Sequence, residues 1–138
     1  MQRQVQYRVI LEGLPAPQAT EHERQEMAPR REITDEPELA DYDFARVLNA
    51  IADPIRLAIV VQLGDVSTEL SCGSFLLPVH PSTATHHFTA LRQAGVIHQY
   101  YSGTSRMNVL RRDDLEAAFP GFLDAVLRAA GKAQASAH

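Results

Sequence analysis

Residues 80–106 read HPSTATHHFTALRQAGVIHQYYSGTSR, and a change of pattern within them decides the fold. Pro81 suits the first position of a helix, and Gly95 suits the left-handed residue that commonly ends one. The runs VIHQYY and SRMNVLR that follow are rich in β-forming residues, and Gly103 between them suits a hairpin turn. The stretch therefore predicts a helix over residues 81–94 followed by a two-stranded hairpin.

The predicted helix has two unlike faces when successive residues are placed about 100° apart. The apolar face includes one histidine among hydrophobic residues: Ala84, His87, Phe88, Leu91 and Ala94. The opposite face carries small hydroxyls, an imidazole and an amide but no carboxylate: Ser82, Thr85, His86, Thr89 and Gln93. Small hydrogen-bonding groups without negative charge suit a helix that lies in the major groove of DNA, where they bond to base edges or phosphates.

The two adjacent histidines of this helix are predicted to have different roles. Side chains at neighbouring helical positions do not face each other, so His86 and His87 cannot easily share one metal ion. His86 belongs to the polar face and is a candidate groove contact. His87 lies with the apolar face, and we expect it to be a buried, hydrogen-bonded structural residue.

The distribution of charge favours a polyanionic partner, although the net charge does not. The net charge is −4, which by itself argues against nucleic acid. However, no Asp or Glu occurs from Ser71 to Arg112. This window contains four histidines and four arginines: Arg92, Arg106, Arg111 and Arg112. Because the local sign of charge decides whether a polyanion docks, we expect a positive middle within an acidic frame. The alternative is a neutral structured core between solvated acidic ends.

The composition bounds the class of protein. The chain has 138 residues, 45% of them hydrophobic, which suits one compact domain with a core. No apolar run approaches the roughly 20 residues of a membrane-spanning helix, and the first residues lack the apolar region of a secretory signal. Cys72 is the single cysteine, so no internal disulfide forms. We therefore expect a soluble, cytoplasmic protein with no membrane partner.

Two helical patterns come first in the predicted domain. One begins near Thr34, with Thr34 or Asp35 as its cap and Pro37 in its first turn. Its apolar stripe has helical spacing: Ala40, Phe44, Val47, Leu48 and Ile51. The triplet ADP then ends this helix and starts the second, because Asp53 can cap it and Pro54 can take its first position.

Further helices lie on both sides of the residues 81–94 helix. STELSCGSFLLPV predicts a short third helix from about Ser67 to Leu76. RRDDLEAAFPGFLDAVLRAAG predicts a last helix that Pro120-Gly121 kinks or breaks. The whole pattern predicts a mainly α winged helix-turn-helix with a small β-hairpin wing, in the order α-α-α-α-β-β-α, over residues 35–131. Residues 1–34 are predicted to be a flexible extension and residues 132–138 a tail. Strand-like alternation in the extension involves Val5, Tyr7, Val9 and Leu11.

The hairpin is interpreted as the wing of this fold. Arg106 lies near its tip, and small polar residues form the turn: Ser102, Thr104 and Ser105. A basic tip with small polar neighbours can reach a phosphate or the minor groove of DNA. Taken alone, the hairpin is more typical of an ordinary exposed hairpin, and the helix that precedes it favours the wing.

Three segments resemble the ArsR/SmtB family of winged-helix transcriptional repressors in order and spacing: LNAIADPIRLAIVVQL, STATHHFTALRQAGVI and YYSGTSRMNVLRRDDL. The resemblance covers roughly residues 38–130. It implies a homodimer with the first and last helices at the two-fold axis, and repression of a nearby operon that an effector releases. It also implies base and phosphate contacts by Ser82, Thr83, Thr85 and His86, with Arg106 on the wing.

The metal sites of that family do not carry over to this sequence. The arsenic-type site needs a close pair of cysteines on the third helix, where ELSCGSF contains only Cys72. The zinc-type site needs histidines on the last helix, which has carboxylates but no histidine before His138. Carboxylates alone make a poor zinc site, so we predict no metal site and no cofactor. A metal or redox sensor that uses Cys72 remains an alternative.

Other classes of function are less favoured by the sequence. GxSxG, HExxH, CxxC and phosphate-binding glycine loops are all missing, so we predict no catalytic residues and no enzyme. A winged helix that binds only protein is a second alternative, but such a partner does not require an acid-free window.

The expected partners are double-stranded operator DNA, a second copy of the chain and an unknown effector. Apolar stripes on the first and last helices would be exposed unless a partner covered them. The residues expected at a dimer interface are Phe44, Leu48, Phe122, Leu123 and Val126. Two copies related by a two-fold axis would bind a near-palindromic operator.

Overall fold

The computed structural model describes residue 20 and residues 29–136, with side-chain environments up to residue 131. Its helices are α1 (Phe44–Ile51), α2 (Pro54–Gly64), α3 (Pro81–Ala94), α4 (Arg112–Ala118) and α5 (Phe122–Ser136). Its strands are β1 (Arg30–Glu32), β2 (Leu70–Ser71), β3 (Ile97–Ser102) and β4 (Ser105–Leu110). Three helices followed by a hairpin and further helices form a winged helix, as the sequence predicts.

The first two helices begin at aspartate caps. The Asp43 carboxylate accepts the backbone N–H of Arg46 at 3.2 Å, and α1 starts at the next residue, Phe44. The predicted start near Thr34 is wrong, because residues 33–43 form no α-helix and contain only a 3-10 turn at Leu39–Asp41. The predicted start of α2 is confirmed: Asp53 accepts two backbone N–H groups and Pro54 occupies the first helical turn.

The predicted third helix from Ser67 to Leu76 is wrong. Strand β2 and a 3-10 turn at Cys72–Ser74 replace it. The physical reason is long-range pairing: Leu70 and Ser71 are hydrogen-bonded partners of Asn108 and Met107 on β4. The backbone groups that a helix would use are therefore committed to the sheet, and an extended segment leads into α3.

Helix α3 and the wing follow the sequence prediction closely. α3 covers Pro81–Ala94, and Gly95 ends it in the left-handed conformation with φ 89°. A Cβ at Gly95 would collide with the Tyr42 ring and lie 2.9 Å from Pro37, so space as well as backbone conformation requires glycine. Strands β3 and β4 pair in one register around the turn at Gly103.

The end of the chain forms two helices rather than one continuous helix, as the Pro120-Gly121 break predicts. The hairpin is part of a larger sheet than the sequence indicated, since four antiparallel strands run in the order β1-β3-β4-β2. Strand β1 lies within the predicted flexible extension, whereas the predicted strand at Val5–Leu11 falls outside the described residues. No helix in residues 29–136 is long and apolar enough to cross a bilayer.

The hydrophobic core lies between the helices and one face of the sheet. Its most deeply buried side chains come from every layer of the fold: Val47, Ile59, Leu63, Phe88, Leu91, Ile97 and Leu115. Burial of this core fixes the orientation of α3, because the apolar face of α3 points inward. The polar face of α3 is consequently directed away from the core.

Candidate nucleic-acid interface

The N-terminal half of α3 presents four polar side chains to solvent. They are all exposed: Ser82, Thr83, Thr85 and His86. Ala84 and Phe88 on the other side of the helix are buried at 6% and 1% exposure, which holds this polar group outward. His80 provides no side-chain cap, so the first N–H groups of the helix have no partner from the helix itself. This end of α3 therefore offers hydroxyls, an imidazole and free N–H groups to an anion.

The C-terminal half of the same polar face has different surroundings. Thr89 is half-buried, and Gln93 is exposed but donates from Nε2 to Asp35 Oδ2 at 3.2 Å. The next residue toward the N-terminus, Arg92, is buried and donates to Asp35 Oδ2 at 2.9 Å. An acidic residue from before α1 therefore lies against the end of the helix that the sequence shows as free of acids.

The two adjacent histidines diverge as predicted. His86 is exposed, whereas His87 is half-buried, with Nδ1 3.4 Å from Arg56 Nη1 and 3.7 Å from Asp53 Oδ1. His87 therefore contacts the cap of α2 and is less buried than the sequence predicts. In the described part of the chain, no group of three or more His, Cys, Asp or Glu side chains is arranged to hold a metal ion.

Most arginines of the acid-free window have structural contacts. Arg111 binds Asp114 at 3.0 Å and the Pro37 carbonyl at 2.6 Å. Arg112 donates to backbone carbonyls at the end of α2, including that of Leu63 at 3.1 Å. Together with buried Arg92, these residues use their charge within the fold. Fewer arginines of the acid-free window are therefore available to a polyanion than the sequence predicts.

Arg106 is the arginine of the window that lies on the wing beside α3. A cleft separates α3 from the wing, with Thr85 on the helix side and Tyr101, Thr104, Ser105 and Arg106 on the wing side. Arg106 Nη2 donates to the Tyr101 hydroxyl at 2.5 Å, which fixes the guanidinium at this edge. The structure thus brings together Thr85 and Arg106, two of the residues that the sequence singled out.

A buried polar chain that the sequence analysis missed joins α3 to the sheet. Arg92 Nη1 donates to Gln99 Oε1 at 2.6 Å, and Gln99 Nε2 donates to Asn108 Oδ1 at 2.6 Å. Asn108 Nδ2 in turn lies 3.2 Å from Cys72 Sγ. Gln99 and Asn108 are both 0% exposed, so these bonds satisfy polar groups that water cannot reach. A detectable signal existed, since a turn at Gly103 makes these two residues cross-strand partners.

Among the groups with shifted pKa values, Asp35 and Cys72 belong to the surroundings of α3 and of the polar chain. The hydrogen bond from Arg92 lowers the pKa of the Asp35 carboxyl, and the bond from Gln93 adds to this effect. Burial raises the pKa of the Cys72 thiol. A raised thiol pKa lowers the fraction of reactive thiolate, so the environment of Cys72 does not favour a redox sensor.

The residues predicted for a dimer interface divide into exposed and buried members. Phe44 and Leu48 on α1 are 46% and 44% exposed. Phe122 and Val126 on α5 are half-buried, and the Phe44 and Phe122 rings lie 5.2 Å apart between centroids. Leu123 is only 6% exposed and belongs to the core of its own chain. α1 and α5 therefore share one partly exposed apolar surface.

Comparison with known proteins agrees with this architecture. No protein-family model matches the chain. Over 82 residues the chain is 34% identical to the uncharacterized HTH-type transcriptional regulator YceK of Bacillus subtilis (strain 168). The aligned part covers 58% of this chain and 82% of that relative. The chain therefore belongs to the family of helix-turn-helix-type transcriptional regulators.

Proposed function

We propose that this protein is a sequence-specific DNA-binding repressor of the ArsR/SmtB type. It binds a near-palindromic operator as a homodimer in the cytoplasm, and an effector releases it. The observation that carries the proposal is the exposed, carboxylate-free N-terminal half of α3 beside a wing with Arg106 at its edge. Membership in a family of transcriptional regulators supports the same function.

The start of α3 supplies the direct contacts in this proposal. The major groove of B-DNA, about 12 Å wide, admits an α-helix. Ser82 and Thr83, at the free N-terminus, hold a phosphate together with the unpaired N–H groups. Thr85 and His86 lie farther into the groove and bond to base edges. Thr85 Oγ1 now donates to the Pro81 carbonyl at 3.0 Å, which leaves its lone pairs free to accept a bond from a base.

The remaining proposed contacts lie at the margins of this surface. Arg106 approaches the neighbouring backbone phosphates from the wing. Thr89 continues the helix face toward the middle of α3. Gln93 reaches a base only when its bond to Asp35 opens, so we assign it to the periphery of the interface.

The dimer part of the proposal rests on the apolar surface shared by α1 and α5. Phe44, Leu48, Phe122 and Val126 contact the second copy across the two-fold axis, and that contact removes their apolar area from water. Leu123 acts only indirectly in this arrangement, by holding α5 on its own core.

Enrichment from a random duplex library tests the function directly. The wild-type protein is expected to enrich one sequence with two-fold symmetry, as a homodimer requires. Thr85→Ala and His86→Ala are each expected to weaken binding to that sequence by about 1–3 kcal/mol. Binding to a mixed-sequence duplex should change little. Thr68→Ala, at an exposed threonine beside the start of α4 and outside the proposed interface, is the matched control and should bind as the wild type does.

Two outcomes would contradict the proposal. A wild-type protein that enriches no sequence and binds no duplex at low salt would favour a winged helix that binds protein instead. If Thr85→Ala and His86→Ala both enrich the same sequence as strongly as the wild type, the protein binds DNA but not through the N-terminal half of α3.

A further inference from the structure

We infer that Arg31 on β1 is a phosphate contact of the wing, so that the segment preceding the winged-helix core contributes to the DNA-binding surface. This inference rests on the proposed function, because it adds a residue to the same interface. Neither the acid-free window nor the resemblance to a known family indicates Arg31, which lies among acidic residues in the sequence.

The pairing of β1 brings Arg31 to the wing. In the antiparallel register, Arg31 is opposite Tyr101 on β3, and Tyr101 is opposite Arg106 on β4. The Gly103 N–H at the wing turn donates to the Pro29 carbonyl at 3.0 Å, which ties the start of β1 to the tip of the hairpin. The wing of this protein is therefore three-stranded at its tip, and Arg31 and Arg106 lie in one cross-strand row.

The two guanidinium groups of this row share one aromatic ring. Arg31 Cζ lies 4.7 Å from the Tyr101 ring centroid, and Arg106 Cζ lies 5.2 Å from it. A cation–π contact orients a guanidinium without neutralising its charge. Among the residues that the structure describes, neither arginine forms an ion pair with a carboxylate. Two oriented cations around one ring form a site for an anion, and the phosphates of DNA provide closely spaced anions.

The row is on the side of the sheet that faces α3. Directly opposed residues of neighbouring strands point to the same face of a sheet. Tyr101 and Arg106 line the cleft whose other wall contains Thr85. Arg31 therefore lies next to the cleft, on the same surface as Thr85 and Arg106. A duplex whose groove holds the start of α3 would have its backbone along this row.

Arg30, the preceding residue, provides an internal contrast. Its guanidinium lies on the opposite face of the sheet, 3.8 Å from the Tyr100 ring centroid. There it donates to Glu32 Oε1 at 2.6 Å, and the same carboxylate group lies 3.0 Å from His98. Arg30 is thus neutralised locally and directed away from α3. Two neighbouring arginines of one strand differ in face and in ion pairing.

The salt dependence of DNA binding tests this assignment, because each phosphate contact adds a known increment to it. The probe is a fluorescein-labelled mixed-sequence duplex, titrated at several NaCl concentrations. The slope of log affinity against log salt is expected to be shallower in Arg31→Ala by roughly 0.9 per bound chain. The ratio of wild-type to variant affinity then shrinks about eightfold for a tenfold rise in salt. Arg106→Ala is expected to behave alike.

Two further variants control the experiment. Arg30→Ala, which removes an equal charge from the other face, should keep the wild-type slope. Arg31→Lys should also keep it, because a lysine retains the charge that a phosphate contact needs. Thermal unfolding of each variant verifies that the fold is intact.

The possible failures are distinguishable. A wild-type protein that binds no duplex at the lowest salt overturns both the proposed function and the role of Arg31. A wild-type protein that binds, with equal slopes in wild type and Arg31→Ala, overturns the role of Arg31 alone. An equally shallow slope in Arg30→Ala and Arg31→Ala also overturns it, because the slope would then reflect the net charge of the protein rather than a phosphate contact on one face of the sheet.

Discussion

Both ends of α3 carry polar side chains, but only those at the C-terminal end bond to the rest of the protein through Asp35. At the N-terminal end, Thr85 and His86 are exposed and have no carboxylate contact among the described residues. At the C-terminal end, Arg92 is 9% exposed, and both Arg92 and Gln93 donate to Asp35. One end is free to bind another molecule, while the other end is held by its own protein.

This difference indicates a division of labour along a single helix. Buried Arg92 donates to Gln99 on the wing strand and to the half-exposed Asp35 before α1, so these two bonds attach the C-terminal end of α3 to both segments. An anchored end orients the free end, because α3 has no proline or glycine in its interior at which it would kink. The readout of DNA that we propose for the start of α3 therefore depends on polar bonds at its far end.

The largest effect in this comparison is expected from Arg92→Met, which removes the anchor but preserves most of the side-chain volume. The variant leaves the buried Gln99 Oε1 without its donor and Asp35 without its cation. We expect the free energy of unfolding, measured by urea denaturation, to fall by about 2–4 kcal/mol. Thr83→Ala at the free end should change it by less than about 0.5 kcal/mol. An equal loss of unfolding free energy in Arg92→Met and Thr83→Ala would contradict the distinction between an anchored and a free end of α3.

The ends of α3 and the wing turn could be predicted because their signals are local. Pro81 and Gly95 define the helix through their own backbone preferences, and Gly103 defines the turn. The binary pattern of the helix also predicts correctly that Thr85 and His86 point outward. Each of these conclusions depends on residues within a few positions of one another in the chain.

The elements that depend on distant pairing could not be predicted in this way. The segment from Ser67 to Leu76 has a plausible helical pattern, but within it Leu70 pairs with Asn108 on β4, and this pairing makes it a strand. Strand β1 has three exposed residues and no alternation of apolar side chains, so only its pairing with β3 defines it. Asp35 is 57 positions before Arg92 in the chain, and a window of sequence around α3 therefore cannot include it.

A smaller, pH-dependent effect is expected at Asp35. The bond from Arg92 lowers the pKa of the Asp35 carboxyl below its ordinary value of 3.8. A carboxyl with a lowered pKa stabilises the folded state above its unfolded pKa, and this contribution is lost as the pH falls through the folded value. Asp35→Asn should therefore be less stable than the wild type at pH 6, by less than about 1 kcal/mol, because the Asp35 side chain is 48% exposed and solvent screens its ion pair with Arg92.

The difference between the Asp35→Asn variant and the wild type should shrink steadily below about pH 4, because the wild-type carboxyl then also becomes neutral. Thermal unfolding of both proteins across this pH range measures it, and the comparison cancels the titration of other acids. A difference that is independent of pH would mean that the Asp35 charge contributes nothing to the anchor.

The smallest effect is expected from Gln93→Ala, which changes the polar face of α3 at its anchored end. The Gln93 amide is already bonded to Asp35, so its loss should weaken operator binding by less than about 1 kcal/mol, the lower limit for a base contact. Thr85→Ala on the same duplex is the reference, and thermal unfolding verifies the fold. A loss in Gln93→Ala as large as that in Thr85→Ala would erase the difference between the two ends. Gln93 would then exchange Asp35 for a base on binding, and the anchor itself would take part in reading the sequence.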